Sequence, residues 1–134
     1  MQSVVLPATS PDALAAKEQA GRYLEALNRG DFEEARSLWA DKGAASGGTA
    51  EQLGRAYKVY TEFHGAVGDP TAIKEKDGKQ FVIVTGSADT VVKATGKPRH
   101  IEGPIYLSRS ADRTVHDPEL HDWRIWAVDM RQPH

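Results

Sequence analysis

Gln80-Phe81-Val82-Ile83-Val84-Thr85-Gly86-Ser87-Ala88-Asp89-Thr90-Val91-Val92 reads as one long β-strand. Its β-branched and aromatic residues suit a pleated, half-buried surface. Gly86 in its middle predicts a bulge or a bend. Just upstream, Asp77-Gly78 is a strong hairpin-turn signal, which makes residues 71–76 a short preceding strand. Downstream, Thr95-Gly96-Lys97-Pro98 turns the chain into another strand over residues 99–109. Strand periodicity puts Ile101, Ile105 and Leu107 on one face and His100, Glu102, Tyr106 and Ser108 on the other. Pro104 predicts a bulge or an edge position. A long polar loop over residues 110–122 then leads to a last strand over 123–130. Trp123 and Trp126 are three apart on that strand and point to opposite faces, one to the core and one outward.

Ahead of Gly68-Asp69-Pro70 the periodicity is helical instead. Residues 1–10 read as an extended leader, and residues 11–134 as a single domain. Ser10 is an N-cap with Pro11 at the first helical position, and Ala16, Ala20, Tyr23, Leu24 and Leu27 share one face. Gly30 suits the left-handed position that ends this helix. Asp31 starts a second helix, with Glu34 three residues on and Phe32, Ala35, Leu38 and Trp39 as its buried stripe. Residues 41–48 are a glycine-rich connection. Thr49 and Gln52 then form the capping box of a third helix. Leu53, Ala56, Tyr57, Tyr60 and Phe63 or His64 line one side of it, and Gly65 ends it. Three helices followed by hairpin-joined strands define an α+β domain, with helices on one face of an antiparallel sheet of about four strands.

The composition narrows the function. The chain has 134 residues, 17 basic and 19 acidic, for a net charge of −2. A nucleic-acid binder usually shows a basic patch or stripe, and none is visible here. With no cysteine, disulfides, thiolate metal sites and a cysteine nucleophile are excluded. No apolar run approaches the ~20 residues of a membrane span. The start, Met1-Gln2-Ser3-Val4-Val5-Leu6-Pro7, is an odd native beginning and leaves two compartments equally open. One is the periplasm or cell envelope, for the mature form of an exported protein; the other is the cytoplasm.

The order of elements resembles the NTF2-like (SnoaL-like, cystatin-like cone) superfamily, in particular a bacterial, envelope-associated branch. The resemblance rests on Asn28-Arg29-Gly30-Asp31-Phe32 joining the first two helices and on Gly30-Asp31-Phe32-Glu33-Glu34-Ala35 opening the second. It rests also on the closing Trp123-Arg124-Ile125-Trp126-Ala127-Val128-Asp129, and it spans residues 11–131. It implies a curved sheet wrapped around a helix, often enclosing an apolar pocket. The superfamily holds isomerases, dehydratases, hydrolases, accessory domains and binding modules, so fold does not decide function.

Acid–base catalysis would need a carboxylate or histidine inside such a pocket, with a hydroxyl nearby. Tyr23, Tyr57, Tyr60, His64, His100, Glu102 and Asp129 are the candidates, and no pair among them matches a catalytic arrangement of the enzyme branches. His100 and Glu102 share a strand face and would act together or face solvent. His116-Asp117-Pro118-Glu119-Leu120-His121-Asp122 holds two histidines and three carboxylates in seven residues. Imidazole and carboxylate suit zinc, but Pro118 breaks any helix that would aim both histidines at one point, so no metal and no cofactor is expected. Gly43, Gly47 and Gly48 precede a helix N-terminus without any phosphate-loop fingerprint.

The reading that remains is a non-catalytic binding or accessory domain. Tyr23, Tyr57, Tyr60, His64, His100, Glu102 and Trp126 are its candidate pocket residues. Its partner is a small apolar ligand or a protein, including a second copy through the sheet face. The alternative is a small isomerase, dehydratase or hydrolase using a pocket acid–base residue. A third reading, a purely structural or dimerisation unit, requires a filled cone and a large apolar sheet face.

Overall fold

The computed structural model describes residues 3–41 and 48–131. The first helix, α1 (Pro11–Arg29), starts where the Ser10 hydroxyl accepts from the Ala13 N–H at 3.2 Å. It stops at Gly30, whose φ of 72° is the left-handed conformation that glycine adopts without strain. Its alanines Ala13, Ala16 and Ala20 are fully buried and let the helix lie close to the sheet, while Tyr23, Leu24 and Leu27 fill the space between. Asp31 caps α2 (Phe32–Ser37) by accepting from the Glu34 N–H. The Glu34 carboxylate does not reach back to complete the box; it pairs with Arg29 at 2.6 Å and with Arg22. Thr49 and Gln52 do form a reciprocal capping box at the start of α3 (Ala50–Tyr57). Of the expected connection over 41–48, residues 42–47 lie outside the described residues.

Six strands make one antiparallel sheet: β1 (Ser3–Leu6), β2 (Tyr60–Pro70), β3 (Ile73–Lys76), β4 (Lys79–Val92), β5 (Pro98–Ser110) and β6 (Arg124–Val128). The order is β1-β3-β4-β5-β6, and β2 pairs with the far half of β4. The long strand read from the sequence is therefore the spine. It carries β5 along one side and, on the other, first β3 and then β2. Its even-numbered residues from Gln80 to Thr90 are all buried against the helices, while the odd-numbered ones face outward. Val82, Val84, Ile105, Leu107, Ile125 and Trp123 form the sheet side of the core. Burying each large aliphatic side chain contributes about 1.5–3 kcal/mol.

The helices and strands differ from the sequence expectation in ways that have physical causes. The third helix does not run on to Gly65. It ends at Tyr57, and Tyr60, Phe63 and His64 belong to β2. Val59-Tyr60-Thr61 is β-branched and aromatic, and β4 would otherwise present a bare ladder edge from Val84 to Val92; pairing there outweighs the helical spacing. The extended leader is partly ordered as well: β1 pairs with β3. Gly86 marks no bulge in its own strand, because the β4–β5 register runs unbroken through it. The irregularity lies opposite, in β2 between Val67 and Pro70. Gly86 is instead a point of close approach, where a Cβ would come within 2.8 Å of Ile105 Cδ1. Pro104 is not on an edge strand, since β5 lies between β4 and β6. Its carbonyl accepts from the Asp129 N–H, so its nitrogen faces the same side, just beyond the end of β6, where no ladder donor is needed. In the 110–122 loop, Pro118 opens the one-turn helix α4 (Pro118–His121) rather than breaking one, with Asp117 as its cap.

Candidate functional site

Tyr23 and Tyr57 stand inside the cone, between helix and sheet. Tyr23 is 2% exposed, and its hydroxyl lies near that of Tyr57. Burial pushes both phenols above the usual tyrosine range. Phe63 meets Tyr57 edge-on at 5.2 Å, Phe32 stacks on it at 6.3 Å, and Tyr60 tilts against it. Trp39 meets Tyr23 edge-on at 6.0 Å. The Trp39 indole N–H is buried and near enough to the Tyr23 oxygen to favour its ionised form slightly, but it does not reach hydrogen-bonding geometry. The polar tips inside the cone are thus turned on each other, among aromatic rings.

His64, His100 and Glu102 lie on the opposite face of the same sheet. His64 in β2, Asp89 in β4 and His100 in β5 are direct cross-strand neighbours. His100 Nδ1 is 2.9 Å from Asp89 Oδ1 and Nε2 is 3.5 Å from Glu102 Oε2. The Asp89 bond, supported by Glu102, holds the His100 pKa above the ordinary imidazole value, slightly opposed by desolvation. All four side chains are exposed. Asp129 is tied to Arg131. The enzyme candidates are therefore divided by the sheet, with the tyrosines inside it and the histidines and carboxylates outside. Among the described residues, no three His, Asp or Glu side chains converge so as to hold a metal ion. In the 116–122 segment, His121 is engaged by Arg113 and Asp122.

Trp126 is the seventh candidate, and it leads to a hollow on the outer face. Ile125 pairs with Leu107 while Ala127 pairs with Tyr106, so Trp126 is the extra residue of a β-bulge. Following buried Ile125, Trp126 faces outward by strand alternation, 44% exposed, while Trp123 at the strand's start is buried. Trp126 packs on Tyr106 at 5.2 Å and edge-on to Phe81 at 6.5 Å. With Ile83 these rings floor a groove of about 610 Å³. Phe81, Ile83 and Tyr106 reach it because each stands on the outward parity of β4 or β5.

One end of the groove is basic. Lys74 and Lys76 occupy the outward positions of β3, and Lys79 stands directly opposite Lys76 across the hairpin. The turn between them, Asp77-Gly78, has φ of 53° and 78°, the conformation of a tight two-residue hairpin. Among the described residues none of the three lysines makes an ion pair. These lysines, Phe81 and Ile83 were not among the candidates read from the sequence. The signal was present: the Asp77-Gly78 turn fixes the register, and two-residue alternation from it puts all five on one face. The same parity, carried two residues past Leu107, puts Arg109 on the core face. There it is buried, bonded to Gln80 and Asp12, with its guanidinium 4.4 Å above the Trp123 ring.

No family model matches the sequence, and no curated protein matches it. Among solved structures, the chain is similar to an NTF2-like superfamily protein from Salmonella enterica serovar Typhimurium. The TM-score is 0.58 at 14% identity, over 91% of this chain and 93% of that one. A Bdellovibrio bacteriovorus protein gives 0.48 at 12% identity, over 83% of this chain and 38% of that one. The chain has the NTF2-like fold. That fold serves ligand-binding and enzyme domains alike, so its use here rests on the site.

Proposed function

We propose that this chain is a non-catalytic binding domain whose working surface is the aromatic groove on the outer face of the sheet. The observation that carries the reading is Trp126, exposed on the outer face beside Phe81, Tyr106 and Ile83. An exposed apolar hollow of this kind marks a binding site more often than chance exposure. The enzyme reading needs an acid–base group facing a cavity together with a hydroxyl. Here the hydroxyls of Tyr23 and Tyr57 sit among aromatic rings inside the cone, and His100 is held by surface carboxylates on the far side of the sheet. The uncharged fluorescent probe N-phenyl-1-naphthylamine tests the surface. It should bind the wild-type chain and lose most of its binding in Trp126→Ser with Ile83→Ser, at an unchanged fold by circular dichroism. Equal binding by both proteins would sink the reading.

The charge pattern favours a second copy as a further partner of this face. Lys74, Lys76 and Lys79 lie at one end, and Glu62, Asp89 and Glu102 at the other, about 33 Å away along β4 at ~3.3 Å per residue. Two copies related by a two-fold axis through the middle would set each basic end on an acidic one. Sedimentation should then show a dimer that weakens with salt; a monomer at every concentration tested would exclude it.

A further inference from the structure

We propose that the outer groove takes an anionic amphiphile, with its apolar body over Phe81, Ile83, Tyr106 and Trp126 and its carboxylate or phosphate head among Lys74, Lys76 and Lys79. This names the ligand class of the binding reading above and rests on it. The strongest argument is a cost the free protein carries. Lys76 and Lys79 are direct partners in the β3–β4 ladder, and like charges directly opposite each other destabilise a hairpin. Lys74 adds a third ammonium on the same face. An acid at position 76 or 79 would have made a favourable cross-strand pair. Asp77 lines the same rim but pairs with none of the three. The repulsion is relieved when an external anion sits among them.

The apolar half completes the match. Trp126 and Ile83 are 44% and 38% exposed, adjoining the lysines, whose methylene stems extend the greasy floor. The charge sits at one end only. Past Ile83 and Tyr106 the outward row continues with the uncharged pair Thr85 and Pro104. A ligand with one charged head and one apolar tail fits that gradient, whereas a peptide with acids along its length would leave most of them unanswered. The volume, about 610 Å³, lies within the ~300–1,000 Å³ of small-molecule sites.

Displacement of bound N-phenyl-1-naphthylamine from the full chain separates the possibilities. The competitors are decanoate, decyl phosphate and decanol, each below its aggregation limit. At least one of the two acids should displace the probe at about tenfold lower concentration than the alcohol, reflecting exposed charge contacts summed over three lysines. Whichever acid is better identifies the head. The double variant Lys76→Gln with Lys79→Gln should lose that preference, keep its affinity for decanol, and unfold at the same or a higher urea concentration. Equal displacement by acid and alcohol overturns the proposal, as does a preference that survives in the double variant. If the probe binds but neither acid is preferred, the amphiphile is wrong and the binding reading stands. If the probe does not bind at all, both fall. A dimer that shields Trp126 and resists all three competitors gives the face to a second copy and overturns the amphiphile.

Discussion

Replacing Trp39 by alanine and by phenylalanine should give very different results. Trp39 is 9% exposed and meets Tyr23 edge-on at 6.0 Å. Its backbone lies beside Ile125, whose carbonyl accepts from the Ala40 N–H, so the main chain here ties the segment after α2 to β6. Truncating a buried Trp to Ala costs about 3–5 kcal/mol. Losing the edge-to-face pair belongs within the upper part of that range, at roughly 0.5–1.5 kcal/mol. Against this stands the buried indole N–H, which has no hydrogen-bond partner. A buried unpaired donor costs about 1–3 kcal/mol, and both substitutions remove it. The net expectation for Trp39→Ala is therefore a loss of about 2–3 kcal/mol. Trp39→Phe keeps an aromatic edge against Tyr23 and discards the unpaired donor, so its cost should stay below about 1.5 kcal/mol. Urea unfolding followed by far-ultraviolet circular dichroism, at constant m-value, measures both. An unchanged midpoint for Trp39→Ala would place the ring at the surface and undo the packing described. A phenylalanine as costly as alanine would show that the N–H is well bonded and refute the argument from its missing partner.

Three further predictions test other parts of the fold. A Cβ on Gly103 would overlap the backbone carbonyl of Asp129, so Gly103→Ala should destabilise by at least about 1–3 kcal/mol in the same assay, and a neutral result would disprove the close approach. His100 should titrate above the ordinary imidazole value by nuclear magnetic resonance and move down in Asp89→Asn, whereas identical curves would dissolve the Asp89 contact. With its folded pKa raised, any stabilisation from His100 is fully present below the unfolded pKa and fades as pH rises through the folded one. Tyr23 and Tyr57 have folded pKa values raised by burial, so stability should fall as pH climbs past the usual phenol value, and Tyr23→Phe should reduce that alkaline loss. Ultraviolet difference spectra during alkaline titration would contradict this if every tyrosine ionised before the fold was lost.

The sequence by itself determined the local pieces whose causes are local. Ser10, Gly30, Asp31 and the Thr49–Gln52 box start or stop helices through bonds to their own nearby backbone. Asp77-Gly78 folds a hairpin because two adjacent residues accept positive φ. The alternation in β4 and β5 gave the core parity, the order of helices and hairpin-joined strands gave the α+β class, and the cone was what the family resemblance implied. Tertiary structure alone decided the rest. Residues 60–64 carry a helical spacing and became part of a strand, because the open edge of β4 offered a ladder that a local pattern does not record. His64 joined His100 and Glu102 on the solvent side because β2 pairs with β4 in that register, while Tyr23 and Tyr57 face the sheet from the helices. Trp126 faces outward by its strand parity, but only the β5–β6 pairing sets it beside Tyr106 and Phe81, next to Lys74, Lys76 and Lys79 of the β3–β4 hairpin. A site assembled from three strands is a property of their register, and register is set by contacts between residues far apart in the chain.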